Sequence, residues 1–227
     1  MIINVIFCSV LFSFLYQIST FSTLSIRRLF KRSQCDLCQK VLPLYRLIPV
    51  VSYILQCGRT HCCKQPLHYS YFVGELTAVV IGICLYHFDV ILDDTTFLLL
   101  VLVLLTLAIN DLVTLSIPLH IIVIAVICGV VLAPFYLPQF FIITFVLHCF
   151  FLLFKDAIGY GDILVFSYLS LFVPAPHLLH IFMITFILAG IIGLLHWLFH
   201  RNVQAKLPLI PFIFLALVIT SFNIIPF

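Results

Sequence analysis

Charge is what this sequence has least of. Eleven Lys and Arg and eight Asp and Glu make up 8% of its 227 residues, against about 25% in a soluble domain. A water-soluble fold of this length still exposes about a quarter to a third of its unfolded surface, and the polar residues to cover it are missing. The net charge of +3 rests on too few cations to point to nucleic acid, and no such partner is expected. No heptad pattern, internal repeat or low-complexity tract organises the chain. The N-terminal apolar stretch lacks a basic n-region and an A-x-A-like cleavage site, so it reads as a retained helix rather than a signal peptide.

Hydrophobic length is what the sequence has instead. Hydrophobic residues make up 64% of it, so lipid must be the main solvent. Spanning a bilayer takes about 20 apolar residues. About eight candidate spans follow: residues 2–24, 71–88, 97–116, 119–137, 140–154, 163–173, 177–199 and 207–225. The expected fold is an all-α polytopic membrane protein, with about eight transmembrane helices and a small cytoplasmic cysteine-containing insertion between the first two. The short fifth and sixth segments are expected to be lengthened by polar ends or sheltered within a bundle. Three parts are expected: residues 1–25 as the first transmembrane helix, 26–70 as a zinc-knuckle-like segment, and 71–227 as a membrane-embedded catalytic domain.

Alternating spans put all eleven basic residues on one side, in the loops holding Arg27 to Lys64, Lys155, and Arg201 with Lys206. Basic residues in short loops stay cytoplasmic. This predicts a multi-pass protein of the plasma membrane with both termini facing outward. Within the polar segment, residues 42–55 are apolar but broken by Pro43, Arg46 and Pro49, which suits an interfacial stretch rather than a span.

Ionisable groups inside a membrane segment cost at least ~2.5–3.5 kcal/mol at a helix centre, so Glu75, Asp111 and Asp162 stand out as functional candidates. The predicted topology brings Asp111 and Asp162 to the same cytoplasmic face. Two carboxylates in a weakly solvated place share one proton. That state suits general acid–base hydrolysis of a peptide bond. Gly159 and Gly161 flank this site in Gly159-Tyr160-Gly161-Asp162, where the absence of a side chain leaves room for an approaching backbone. The same pair would also serve a proton-coupled transporter, and each Asp alone would suit a headgroup boundary.

Four cysteines, Cys8, Cys84, Cys128 and Cys149, lie within apolar runs and read as small hydrophobes. The other five crowd into the polar segment. Cys35-x-x-Cys38 followed by Cys57, Cys62 and Cys63 has the look of a zinc knuckle, since a structural zinc takes four ligands in two close pairs. A reduced cytoplasmic location favours thiolates over disulfides. The expected set is Cys35, Cys38, Cys57 and Cys63, with His61 or Cys62 as alternatives to Cys57.

These motifs in this order resemble the type IV prepilin peptidases, the G-x-G-D membrane aspartyl proteases, in the form serving competence pseudopili of Gram-positive bacteria. The pieces are Arg32-Ser33-Gln34-Cys35-Asp36-Leu37-Cys38, Leu47-Ile48-Pro49-Val50-Val51-Ser52-Tyr53, residues 58–66, Tyr71-Phe72-Val73-Gly74-Glu75-Leu76, Asp111 with Ile117-Pro118, and Gly159-Tyr160-Gly161-Asp162. The resemblance implies that Asp111 and Asp162 are catalytic, and that the short basic leader of prepilin-like membrane proteins is cut at the cytoplasmic face. A broader-specificity G-x-G-D intramembrane protease is the alternative within proteases. Many relatives also N-methylate the new terminus with S-adenosylmethionine, and Glu75 is a candidate for substrate positioning or for that second activity. Three positions depart from the family pattern: Leu164 where a lysine is common, Thr60 where a cysteine opens the second metal pair, and Phe12-Ser13-Phe14 in place of Gly-Ser-Phe.

Overall fold

The computed structural model describes residues 2–20, 34–35, 38, 40–43, 47–60, 62–154, 158–200 and 207–222. Among these residues the regular structure is helical, with isolated β-bridges only. The chain divides into two compact units, residues 1–87 and 88–227.

The first unit holds α1 (Ile2–Ser19), the short α2 (Val51–Leu55) and α3 (Tyr69–His87). Three pairings align α1 with α3. Gly82 meets the backbone of Val5, Glu75 meets Ser13, and Ser70 meets Tyr16. Partners in α3 fall as those in α1 rise, so the two helices run antiparallel. Cys8 and Phe12 are fully buried, while Ile3 and other apolar side chains of α1 face outward, as a lipid-facing helix requires. Among the described residues of the apolar stretch 42–55, the helical part is the five-residue α2, too short to span.

The second unit is a bundle of α4 (Asp94–Thr114), α5 (Leu119–Leu132), α6 (Leu137–Leu153), α7 (Tyr160–Phe172), α8 (Ala175–His200) and α9 (Ile210–Ser221). Prolines mark the breaks. Pro118 precedes α5, Pro138 lies in the first turn of α6, Pro174 separates α7 from α8, and Pro211 lies in the first turn of α9. Proline is accepted in a first turn because the N–H it removes has no intrahelical partner there. Helix α4 is buried nearly all round from Leu100 to Asp111, the pattern of a core helix. Helix α9 packs along it antiparallel, with Ile210 near Asp111 at one end and Phe222 against Phe97 at the other. Helix α6 runs antiparallel to α7, since Gln139 reaches the carbonyl of Ser170 and His148 stacks edge-on against Tyr160. Helices α5 and α7 run parallel, with Ile117 beside Gly161 and Gly129 beside Phe172.

Four helices, α1, α3, α4 and α8, are long and apolar enough to cross a membrane, and four shorter apolar helices accompany them among the described residues. These eight follow the eight expected segments in order. A 13-residue helix such as α7 is about 20 Å long, short of a ~30 Å hydrocarbon core. The bundle shelters α7 and α9, which bury most of their side chains. Helix α6 buries none of its residues fully and exposes Phe145 and Leu153.

The α1–α3 contact generates a test. A Cβ on Gly82 would stand 2.9 Å from the Cα of Val5, and backbone cannot swing aside. Gly82→Val is expected to destabilise the first unit by about 1–3 kcal/mol through overpacking. Thermal unfolding of the purified protein in detergent would show this as a lower Tm.

Candidate active site and metal centre

Asp111 sits in the last turn of α4. The helix stops just beyond it, because Leu115 turns into the left-handed region at φ 51 and its N–H closes on the carbonyl of Asp111. The carboxylate is buried, at 8% exposure, and its Oδ2 accepts a hydrogen bond from the backbone N–H of Ile210 at 3.3 Å. Asp162 sits in the first turn of α7, half-buried, where the positive end of the helix dipole favours a carboxylate. Gly159 caps this helix, and its carbonyl accepts the N–H of Asp162 at 3.1 Å.

The antiparallel and parallel pairings place the end of α4 and the starts of α5, α7 and α9 at one end of the bundle. Asp111 and Asp162 accordingly line one cavity of about 670 Å³. Leu115, Ile117, Leu119, Leu164, Leu207 and Leu209 supply much of the remaining wall. Leu164, at the position where the family pattern has lysine, places an apolar group there. A pair of carboxylates in an apolar recess open to water has the composition of an acid–base dyad.

The two glycines serve by leaving space. Gly159 has φ −65, an ordinary value for any residue, but a Cβ there would stand 3.0 Å from Oδ2 of Asp162. A Cβ on Gly161 would overlap the Ile117 side chain. The first permits the carboxylate its position and the second lets α7 close against the start of α5.

Glu75 lies in the first unit. Its Oε1 accepts from the Ser13 hydroxyl and its Oε2 from the Val50 N–H, each at 2.6 Å. Val50 occupies φ 62, ψ −54, and the N–H of Val51 bonds back to the carbonyl of Pro49 at 2.6 Å. This is a γ-turn of the rare, strained kind, and costs on the order of 1–3 kcal/mol for a branched residue. Glu75 therefore pins a strained turn of the interfacial segment to α1 and α3. The turn would have been hard to foresee, because Val-Val is a poor signal for positive φ.

The cysteines come from two turns. One is closed by the Gln34–Val41 bridge and the Cys35 N–H to Lys40 carbonyl bond. The other is closed by the Arg59–Pro66 bridge and by Thr60, which bonds Gln65 through both its backbone and its hydroxyl. The sulfurs of Cys35, Cys38, Cys62 and Cys63 lie within 4.8 Å of one another. Cys57 is exposed at the end of α2 and stands outside this group. His61 lies outside the described residues. Cys62, the alternative ligand, takes the place expected of Cys57, as the tight turn with Lys64 at φ 57 presents both Cys62 and Cys63 to the group.

The group fits a tetrahedral metal. Metal–sulfur bonds of about 2.3 Å imply sulfurs about 3.8 Å apart, and Cys35–Cys63 and Cys63–Cys62 measure 3.9 and 3.7 Å. Without a cation the thiols resist ionisation together. Cys63 is pushed up to about 12, first by its hydrogen bond with Cys38 and then by burial, and Cys62 is raised first by Cys38 and next by Cys35. A bound dication reverses that penalty by favouring thiolates.

Comparison with known proteins covers both units. Residues 6–88 match the family model described as Bacterial Peptidase A24 N-terminal domain, and residues 98–194 match the Type IV leader peptidase family model. The four clustered cysteines and Glu75 fall in the first match, Asp111 and Asp162 in the second. The chain is 27% identical over 220 residues to the Prepilin leader peptidase/N-methyltransferase of Vibrio cholerae serotype O1, covering 85% of this chain and 81% of that relative. No solved structure matches the chain.

The two candidate ligand sets are separable by metal analysis of purified variants. Wild type and Cys57→Ser are expected to carry about one metal ion per chain, and Cys35→Ser and Cys62→Ser to lose it.

Proposed function

The chain belongs to the type IV leader peptidase family and is a membrane peptidase, and from that premise we propose that Asp111 and Asp162 are its catalytic dyad, cutting the leaders of prepilin-like proteins. The observation that carries this reading is the meeting of the two carboxylates in one cavity at one end of the second unit. The ionised partner takes a proton from a water as the water oxygen attacks the scissile carbonyl carbon. The protonated partner gives its proton to the carbonyl oxygen. In the second half the roles reverse, and the departing amine receives a proton as the C–N bond breaks.

The active site faces the cytoplasm in this proposal, supported by the one-sided distribution of the eleven basic residues. The substrates are competence-type prepilin-like membrane proteins with short basic leaders. A pilin helix inserted beside the bundle brings its leader junction to the level of Asp111 and Asp162. Zinc is the proposed metal of the Cys35, Cys38, Cys62 and Cys63 group. It would be held by thiolates alone and would cross-link two turns that have little core of their own.

In a reconstituted assay with a prepilin-like substrate, Asp111→Asn and Asp162→Asn are each expected to reduce leader cleavage by on the order of 10²–10⁴-fold or more. The family resemblance implies that the cut follows a glycine ending the leader, and replacing that glycine should abolish the cut with wild-type enzyme. Intact cleavage by either Asn variant would defeat the dyad assignment, and indifference to the leader glycine would favour a broader peptidase. Gly161→Val should displace Ile117 and the start of α7, lowering kcat about tenfold or more.

A further inference from the structure

Asp111 is badly placed by its own helix. It lies in the last turn of α4, where the helix dipole opposes negative charge, and burial of a carboxylate without donors is costly. The donor the structure supplies comes from elsewhere in the unit. Ile210 is the first residue of α9, so its N–H is one of those that no helical carbonyl can reach. The next residue, Pro211, has no N–H, and Phe212 bonds back to the carbonyl of Leu209. No side chain caps this helix end. The remaining donor of the first turn is Ile210, and it points at Oδ2 of Asp111. The residues just before it, Leu207, Pro208 and Leu209, line the same cavity as the two aspartates, and the Ile210 side chain is fully buried.

We propose that the start of α9, through the backbone N–H of Ile210, is a positioning element of the peptidase that fixes the Asp111 carboxylate, with residues 207–209 as a wall of the substrate cleft. This rests on the dyad reading above. Holding Oδ2 from the α9 side leaves Oδ1 as the oxygen available to water and to Asp162. Helix α9 packs antiparallel on α4, and among the described residues the hydrogen-bond donor to the Asp111 carboxylate is this backbone N–H.

The test removes the Ile210 N–H and weakens the Leu209 carbonyl as an acceptor, a change that the control must share. In the full-length enzyme, reconstituted in proteoliposomes, Ile210 is replaced by its α-hydroxy acid, which turns the N–H into an ester oxygen and keeps the side chain. The same ester at Ile219, within α9, controls for loss of a helical amide. Loss of a hydrogen bond to a charged group should lower kcat by about tenfold to a hundredfold, with KM and Tm as in the Ile219 ester. Unchanged kcat would overturn the proposal. So would a fall in kcat matched by an equal fall in the Ile219 control, or accompanied by a Tm lower than that control's, since either marks a structural role. Asp111→Asn, measured alongside, keeps the two readings apart. If it stays active, the dyad reading itself has failed, whereas an inactive Asn variant beside a fully active Ile210 ester defeats only the positioning role.

Discussion

Two carboxylates must be partnered or hydrated in a chain whose main solvent is lipid, and most of the second unit answers that requirement. A lone aspartate within hydrocarbon would be neutralised or expelled. Here α4 carries Asp111 through an apolar core to its final turn, and α7 presents Asp162 in its first turn. The helix directions then bring these two ends together, so both groups reach one recess. The cavity walls are largely apolar, the setting that the proposed shared proton requires.

The remaining features hold that end of the bundle in shape. Prolines set where α5 and α9 begin, and Gly161 lets α7 approach Ile117. The start of α9 offers Asp111 a donor that its own helix cannot. In the first unit the same need for partners recurs on a smaller scale. Glu75 is satisfied by a hydroxyl and a strained backbone amide, and four thiols gather where two turns meet.

Helix number and order were legible because bilayer thickness imposes length on apolar segments, and prolines and charges separate them. The aspartates were legible because charge inside such segments is costly. What sequence spacing left open or missed was set by backbone geometry. Cys62 joins the thiol group and Cys57 does not, because the turn around Lys64 at φ 57 brings adjacent cysteines to one side. Ile210 was read as the interior of an apolar span, since a main-chain donor leaves no mark in a side-chain pattern. The Pro208 and Pro211 pair was the available sign that the segment breaks before α9. The partners of Glu75 depend on a γ-turn at Val50 that no residue type there announces. For the glycines beside Asp162, the missing side chain was legible as the reason, and what each space admits was not: the Asp162 carboxylate at Gly159 and the Ile117 side chain at Gly161.

The central claim is that Asp111 and Asp162 work as one proton-sharing pair. A diazo ester that esterifies protonated carboxyls tests it directly, with the site of label read by mass spectrometry and activity followed in parallel. Inactivation should track one label per chain on Asp111 or Asp162, never both, and a bound substrate should block it. Inactivation that tracks a label elsewhere, or full activity with one of the two aspartates esterified, would contradict the account.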